Sequence, residues 1–298
     1  MSLATLADVL KIADQRSTAI PHFNIDNIDG VEAIMEAADS ENYPVILSIG
    51  QGAINAGNLW YLADAAKRAA AESKVPVALH LDHGVSYEQT VLCLRAGFTS
   101  VMYDGSHHPF EENVRESLAV IRSAHAVGVS VECELGAIGG VEDGMSHSNL
   151  NLVDVGEVER FCAQVDCDAL AIGIGNAHGL YKGTPHFDFD RLEACRKLNT
   201  PPLVLHGGSG TPDEMLRKAI QLGIRKINVA TELRMAYMEG VESCVAERDF
   251  YKMCKQAKAN ITADPSVSGA VSRIRKIKFC VLHKFDGYIC VNPCIYIK

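Results

Sequence analysis

Short apolar, β-branched segments alternate eight times with amphipathic helical segments along this chain. Such alternation is typical of βα units that build a parallel sheet. The predicted strands are 19–25, 44–50, 76–82, 100–104, 129–135, 169–175, 202–206 and 226–229. The predicted helices are about 29–41, 58–73, 86–96, 110–127, 154–165, 188–198, 212–222 and 231–247. Eight such pairs within about 230 residues predict an α/β fold, a TIM (β/α)8 barrel.

The length of the chain fits one barrel with an extension. It has 298 residues, of which 48% are hydrophobic, and α/β barrels of this size are commonly one domain. We predict a single domain over 1–298, with the barrel over about 5–247 and a C-terminal helical extension over about 248–298. The extension ends in an atypical tail, 278–298, that is apolar and rich in cysteine and carries no functional signal.

Composition excludes several classes of function. The net charge is −9, and no basic, aromatic-rich surface segment precedes the C-terminal region, which argues against a nucleic-acid partner. No signal peptide or membrane-spanning apolar segment is recognisable, so no membrane partner is expected. The ten cysteines form no C-x-x-C pair, as is usual for reduced thiols. We predict a cytoplasmic protein.

Three predicted strands lead into a histidine that is followed by glycine: His83, His178 and His206. The carboxyl ends of barrel strands meet at one mouth, so these imidazoles are expected to lie close together. Three neutral imidazoles suit Zn²⁺, with Co²⁺ or Fe²⁺ as alternatives, and they leave a coordination position for substrate. The alternative interpretation is a set of hydrogen-bonded packing residues.

Carboxylates accompany these histidines at the strand ends. Asp82 directly precedes His83, so the strand must end or bulge there. A carboxylate beside an electrophilic metal suits a general acid/base, or it orients an imidazole. Asp104 and Glu134 also lie at predicted strand ends. Each is either an alternative metal ligand, a hydrogen-bond acceptor for an imidazole, or a member of a salt bridge in the mouth.

The long link 136–153 follows strand five and is rich in glycine, which favours a lid over the mouth. Glu142 lies in it, either with a functional role or as a solvated acid. Asn24 and Ser48, near the ends of strands one and two, either face substrate or merely close their strands.

Two segments near the end of the barrel indicate an anion site. The glycine-rich segment 207–210 follows strand seven, and 228–231 leads strand eight into a helix, which is where barrels often bind phosphate. Arg234, one turn into that helix, either serves a second anion or lies on the surface. Imine chemistry needs a lysine in the mouth; strand six has none, and Lys226 is expected at the opposite end of strand eight.

Seven motifs in order resemble the class II, metal-dependent fructose- and tagatose-bisphosphate aldolases. They are Leu81–Gly84, Tyr103–Ser106, Glu132–Gly136, Gly139–Asp143, Ala177–Tyr181, His206–Gly210 and Lys226–Glu232. The resemblance runs from about Thr5 past Glu247. It implies a lyase of carbohydrate metabolism, in glycolysis, that reversibly cleaves a ketose 1,6-bisphosphate to dihydroxyacetone phosphate and glyceraldehyde 3-phosphate.

The resemblance assigns roles to the catalytic and metal positions. It implies that the three histidines His83, His178 and His206 bind a catalytic zinc that polarises the C2 carbonyl. Asp82 would then be the acid/base for the C4 hydroxyl. Two further positions, Asp104 and Glu134, match an alternative, more buried metal position. Glu142 matches an acid of a mobile loop implicated in proton transfer at the dihydroxyacetone phosphate carbon.

Other positions match residues that contact substrate. The set that holds the dihydroxyacetone phosphate end, partly with a monovalent cation (Na⁺ or K⁺), corresponds to Gly179, Gly207, Ser209, Asn228 and Thr231. Asn24 and Ser48 match polar positions near the substrate. Arg234 matches an arginine that reaches the 6-phosphate in the neighbouring subunit, which implies a homodimer or homotetramer.

The sugar remains open between fructose and tagatose. The segment Asn228–Thr231 is closer to tagatose-type enzymes, whereas His206–Gly210 is closer to fructose-type enzymes. Three alternatives stay under consideration: a class II aldolase for another phosphorylated ketose, a metal-dependent hydrolase, and a metal-binding barrel without aldolase activity. A hydrolase would usually need a bridging carboxylate or lysine, and neither is evident.

Overall fold

The computed structural model describes residues 3–142, 145–147, 152–181 and 183–264, with the backbone alone for 141–142 and 145–147. Its strands are β1 (Ile20–Asn24), β2 (Val45–Ile49), β3 (Val77–Gly84), β4 (Ser100–Tyr103), β5 (Ser130–Leu135), β6 (Gly139–Glu142), β7 (Met145–His147), β8 (Ala169–Ile172), β9 (Ala177–His178), β10 (Leu203–Leu205) and β11 (Ile224–Val229). Its helices are α1 (Leu6–Arg16), α2 (Ile28–Glu41), α3 (Gln51–Asn55), α4 (Leu59–Glu72), α5 (Tyr87–Ala96), α6 (Phe110–His125), α7 (Val155–Cys162), α8 (Phe189–Arg196), α9 (Asp213–Gln221), α10 (Thr231–Cys244) and α11 (Phe250–Ala263).

Eight strands close into one parallel barrel, in the order β1, β11, β10, β8, β5, β4, β3 and β2. Helices connect successive strands, which confirms the predicted TIM barrel. The strands are buried along their whole length, because helices cover the outer face and side chains fill the interior. All eight carboxyl ends therefore open onto the same mouth.

The amino end of the barrel is covered by α1, which the sequence pattern did not predict. Thr5 and Asp8 form a capping box: Thr5 Oγ1 accepts from the Asp8 amide, and the Asp8 carboxylate accepts from the Thr5 amide. The helix buries four apolar side chains at helical spacing against β1, β3, β5 and β11, namely Leu6, Val9, Leu10 and Ala13. This end of the barrel is thereby closed.

The link 136–153, predicted as a lid, contains a hairpin in its described part. Strands β6 and β7 pair antiparallel, and β6 also pairs parallel with the short β9, so that Gly140 lies opposite His178. The small sheet fixes the backbone of His178 at the mouth of the barrel. Residues 143–144 and 148–151 lie outside the described part, and the lid function of the link stays a prediction.

The predicted helical extension begins as expected. After α10 comes a 3₁₀ turn, Val245–Glu247, and then α11, which packs against α10 and α2. The tail 278–298 lies outside the described residues, and the single domain over 1–298 remains a prediction. In the described ranges, no helix has the length and apolar character needed to cross a membrane. The seven described cysteines are free thiols.

Candidate metal centre and active site

The carboxyl end of β3 is irregular where Asp82 and His83 follow each other. The pairing of β3 with β4 shifts register between Leu81 and Gly84, and His83 adopts a φ of 48°. A left-handed backbone is uncommon for a residue with a side chain. Of the two predicted possibilities, an end or a bulge, the strand therefore bulges, and both Asp82 and His83 are buried.

The three strand-end histidines come together at the mouth. One ring nitrogen from each of His83, His178 and His206 lies within 4.8 Å of the others. The ring of His83 lies 4.8 Å from that of His178 and 4.7 Å from that of His206, centroid to centroid. All three side chains are buried. Convergence of three imidazoles is the arrangement that a three-ligand metal site needs.

The hydrogen bonds of two of these rings indicate that a cation belongs between them. His206 Nε2 lies 2.8 Å from Glu132 Oε1, and His83 Nδ1 lies 2.9 Å from Asp104 Oδ2. Carboxylates accept, so these two nitrogens carry hydrogen, and a neutral ring carries only one. The remaining nitrogens, His206 Nδ1 and His83 Nε2, face each other at 3.0 Å. Asn228 Nδ2 also lies 3.3 Å from His206 Nδ1, and a proton or metal ion between the two rings would remove the repulsion of two lone pairs at the 3.0 Å separation.

The electrostatics of His83 favour positive charge. Burial by itself lowers the pKa of His83, but the charge of Asp82 and the hydrogen bond and charge of Asp104, with Glu134, raise this pKa well above its ordinary value. The negative charge of these three carboxylates can be balanced either by a proton on His83 or by a metal ion beside it. The donor set therefore fits a divalent metal ion.

Asp104 and Glu134 form a second group with His83, again with one ligand atom each within 4.8 Å. Asp104 Oδ1 accepts from the amide and hydroxyl of Ser106, at 3.1 and 2.7 Å. Burial opposes ionisation of Asp104, yet the hydrogen bond and charge of His83 hold its pKa far below the ordinary value. Burial and the charge of Asp104 raise the pKa of Glu134 well above its usual range. Their surroundings thus shift the pKa values of the two acids in opposite directions, down for Asp104 and up for Glu134.

Asp82 is held by two amide side chains. Asn24 Nδ2 donates to Asp82 Oδ2 at 2.9 Å, and Asn228 Nδ2 donates to Asp82 Oδ1 at 3.3 Å. Hydrogen bonds donated to a carboxylate favour its charged form. Ser48, opposite Asn24 in the sheet, donates instead to the carbonyl of His80 at 3.3 Å.

Glu132 and Lys226 form a buried ion pair beneath the histidines, which sequence reasoning missed. Lys226 Nζ lies 3.0 and 2.9 Å from the two carboxylate oxygens of Glu132, and both side chains are fully buried. Lys226 lies in the amino-terminal half of β11, away from the mouth as expected, but β11 begins at Ile224 and the Lys226 side chain points into the barrel. Strand alternation contained the signal, since Lys226 and Asn228 are two residues apart and share the inner face.

The two segments predicted to form an anion site lie side by side. The amide of Gly208 donates to the carbonyl of Asn228 at 2.8 Å, and Ser209 Oγ accepts from the amide of Ala230 at 3.3 Å. Gly207 has a φ of 65° and lies so close to the Ala177 carbonyl that a Cβ would overlap it. Only glycine permits this approach.

Three further predicted positions border these segments. Thr231 begins α10 directly after Ala230. Gly179, with a φ of 84°, directly follows His178. Arg234 Nε and Nη2 bind Asp26 Oδ2 and Oδ1 at 2.6 and 3.1 Å, a two-pronged ion pair within the same chain.

Glu142 is described only in its backbone, which ends β6 opposite Met145. Its side chain lies outside the described part of the chain.

Comparison with known proteins identifies relatives over most of the chain. The family model of class II fructose-bisphosphate aldolase matches residues 4–272. A fructose-bisphosphate aldolase of Geobacillus stearothermophilus is 43% identical over 250 residues, 83% of this chain and 87% of that protein. A 6-phospho-5-dehydro-2-deoxy-D-gluconate aldolase of Shouchella clausii is 40% identical over 252 residues, 84% and 86% of the two chains. The crystal structure of the YdjI aldolase from Escherichia coli K12 superposes with a TM-score of 0.81 at 29% identity, covering 91% of this chain and 97% of that one.

The barrel and these relatives define the class of protein: it is an aldolase, a lyase of carbon–carbon bonds. The chain belongs to the class II fructose-bisphosphate aldolase family, whose members are in general zinc-dependent and act on phosphorylated sugars.

Proposed function

We propose that the protein is a zinc-dependent aldolase that reversibly cleaves fructose or tagatose 1,6-bisphosphate to dihydroxyacetone phosphate and glyceraldehyde 3-phosphate. One observation carries the proposal: the ring nitrogens of His83, His178 and His206 converge beside the buried carboxylate of Asp82. This arrangement combines a metal-ligand set with a proton acceptor, as aldol cleavage of a hydroxyketone requires.

The metal would be held by His83, His178 and His206. When bound, zinc supplies a Lewis acid that polarises the ketose carbonyl. The alternative group, His83 with Asp104 and Glu134, is less suited in this arrangement, because His83 Nδ1 already donates its hydrogen to Asp104. Asp104 then has a positioning role: it fixes the ring so that Nε2 faces His206.

Asp82 would take the proton of the C4 hydroxyl as the C3–C4 bond breaks, and return it in condensation. Its two amide donors, Asn24 and Asn228, stabilise the carboxylate before the proton arrives. The side chain of Asp82 is only 2% exposed, which limits its contact with bulk solvent. Glu142, by the family resemblance, would exchange the proton at the dihydroxyacetone phosphate carbon. Ser48, by the family resemblance, would lie near the substrate, with its hydroxyl on the carbonyl of His80.

The phosphate of the dihydroxyacetone half would lie between the two segments that follow β10 and β11. The groups proposed to hold it, with a monovalent cation (Na⁺ or K⁺), are Gly179, Gly207, Ser209, Asn228 and Thr231. Support comes from the packing of the glycine-rich turn against the Asn228 carbonyl, which brings backbone amides and the first turn of α10 to one place.

Arg234 is proposed to reach the 6-phosphate of a neighbouring subunit in a homodimer or homotetramer. Its guanidinium would have to exchange Asp26 for phosphate, and the pair is about one-third exposed, which leaves solvent access for that exchange. A cytoplasmic location stays a prediction.

The experiment that tests the function is a coupled cleavage assay on fructose and tagatose 1,6-bisphosphate, before and after chelation and after zinc is restored. We expect triose phosphate release that is lost by at least about 10²-fold on chelation and regained with zinc. The ratio of rates decides the sugar. Activity that survives complete metal removal would contradict the metal-dependent mechanism, and zinc-loaded protein inert on every phosphorylated ketose would indicate a barrel without aldolase activity.

A second candidate substrate is 6-phospho-5-dehydro-2-deoxy-D-gluconate, for which the relative from Shouchella clausii is named. Cleavage of its C3–C4 bond also yields dihydroxyacetone phosphate, but the other product carries a carboxylate in place of a phosphate. The segments proposed to bind the dihydroxyacetone phosphate half do not distinguish these substrates, because both substrates contain that half. The same assay with this compound, scored by kcat/KM, separates them.

Replacing Glu132 with Gln is expected to weaken zinc binding about 10–100-fold, because the carboxylate that fixes the His206 ring is lost. The replacement also leaves the buried ammonium of Lys226 without its partner carboxylate, so the free energy of unfolding should fall by about 3 kcal/mol. The matched control is Glu132→Gln with Lys226→Met, which removes both charges. We expect the double variant to recover stability but not zinc affinity, measured by thermal unfolding and by competition with a chromophoric chelator. Unchanged zinc affinity in both variants would contradict the positioning role.

A further inference from the structure

A fully buried histidine lies beneath the proposed acid/base and has no role in the function proposed above. His22 and Asn24 are two residues apart on β1 and therefore point to the same inner face of the barrel. His22 Nε2 lies 3.0 Å from Asn24 Oδ1 and 3.8 Å from Asp82 Oδ2. The Asn24 side chain thus lies within hydrogen-bond distance of both the imidazole and the carboxylate.

The direction of these hydrogen bonds follows from Asp82. An ionised carboxylate can only accept, so the Asn24 group at 2.9 Å from Asp82 must be the amide nitrogen. The amide oxygen of Asn24 then faces His22, and only a hydrogen on Nε2 satisfies it. His22 Nδ1 has no hydrogen-bond partner within the described residues. The hydrogen of the neutral ring therefore lies on Nε2.

The surroundings keep this imidazole neutral. Burial, followed by the charges of Lys226, His80 and His206, lowers the pKa of His22 well below its ordinary value. A metal ion between His22, His80 and Asp82, whose ligand atoms also lie within 4.8 Å, would meet the same repulsion from the Lys226 ammonium. The contacts favour a neutral donor over a second cation site.

We propose that His22 is a positioning residue for Asp82. By donating from Nε2 to Asn24 Oδ1, it locks the amide so that Nδ2 points at the carboxylate of Asp82. This inference rests on the proposed function, in which Asp82 handles the proton of the C4 hydroxyl. Without the lock, the Asn24 amide can rotate and present its oxygen to Asp82, which would displace and destabilise the carboxylate.

The test is a matched pair, His22→Leu and His22→Gln. Leu fills a similar volume without a donor, whereas the amide nitrogen of Gln is as many bonds from Cβ as Nε2 of His and can still donate. We expect His22→Leu to lower kcat for cleavage about tenfold, the value of one hydrogen bond to a charge-bearing network, with KM unchanged within about twofold. His22→Gln should recover most of the loss.

A second readout separates positioning from general damage. Exchange of a hydrogen of the hydroxymethyl carbon of dihydroxyacetone phosphate with deuterated water requires the same metal and phosphate site but no C4 hydroxyl. Both variants should keep this exchange within about twofold of wild type and retain zinc. Equal loss of exchange and cleavage in His22→Leu, or an equally impaired His22→Gln, would overturn the proposal.

A measurement on the unaltered protein covers the case in which His22→Leu does not fold. Labelling with ¹⁵N-histidine reports which ring nitrogen carries hydrogen, and the resonance missing from His22→Gln assigns His22. We expect the Nε2–H form; the Nδ1–H form would overturn the proposal. If wild-type protein cleaves no phosphorylated ketose, the proposed function fails, while the tautomer of His22 is still measured independently.

Discussion

Replacing Asp82 with Asn is expected to lower kcat for cleavage of the ketose bisphosphate about 10³-fold while zinc content stays at the wild-type level. General acid/base groups contribute about 10²–10⁴-fold to rate. Asn has the same shape as Asp, so Asn24 and Asn228 keep a neighbour of unchanged size, but an amide cannot accept the C4 hydroxyl proton. Steady-state kinetics together with metal analysis by mass spectrometry measures both quantities.

The matched control for this variant is Asp64→Asn, in which an exposed carboxylate on α4 is removed; its side chain is 75% exposed. We expect wild-type turnover in the control. Near-normal turnover in Asp82→Asn would remove Asp82 from the mechanism. Loss of zinc together with turnover would instead place this carboxylate among the metal ligands.

Much of the barrel was predictable because its strands are buried on both faces. Such strands produce apolar segments between turn residues, and all eight predicted strands overlap the observed ones. The ends were less accurate. Strand β8 stops at Ile172 rather than 175, because the amide of Ile174 donates to the side chain of Asn176 instead of continuing the sheet. Here a side chain competes with the ladder, which periodicity does not reveal.

The region before the first strand shows the opposite case. The capping box of Thr5 and Asp8 and the helical spacing from Leu6 to Ala13 were present in the sequence, yet α1 was not predicted. A capping motif was recognisable locally. The packing partners of α1 are four separate strands, which come together only in the closed barrel, so a local pattern does not predict them.

The mouth of the site was predictable in part because parallel strands end together, which places His83 and His206 side by side, whereas His178 lies beyond the end of β8, on the short strand β9 that pairs with β6. The partners of these residues were not predictable in the same way. His206 binds Glu132, 74 residues away, and Arg234 binds Asp26, 208 residues away. Such pairs depend on the register between distant strands and on the helix that follows, so a local pattern cannot specify them.

Replacing His178 with Ala is expected to lower zinc affinity and kcat by at least about 10³-fold each, since the Lewis acid supplies several kcal/mol of stabilisation to the transition state. His178 is placed by the pairing of β9 with β6, so removing its imidazole leaves the backbone of the mouth intact. Equilibrium dialysis against zinc and steady-state kinetics measure the two losses. The control is His125→Ala, at the end of α6, whose side chain is 38% exposed and pairs with Asp168; it should bind zinc normally.

The same variant decides between the two possible metal groups. If His178→Ala retains zinc, the ion would be held by His83, Asp104 and Glu134, and adding Glu134→Gln would then release it. If the three histidines hold the ion, Glu134→Gln alone leaves zinc bound, because Glu134 lies 3.9 Å from the opposite nitrogen of His83, Nδ1. The pair of variants therefore locates the metal from binding alone, without reference to turnover, and full zinc affinity in His178→Ala would contradict the three-histidine site.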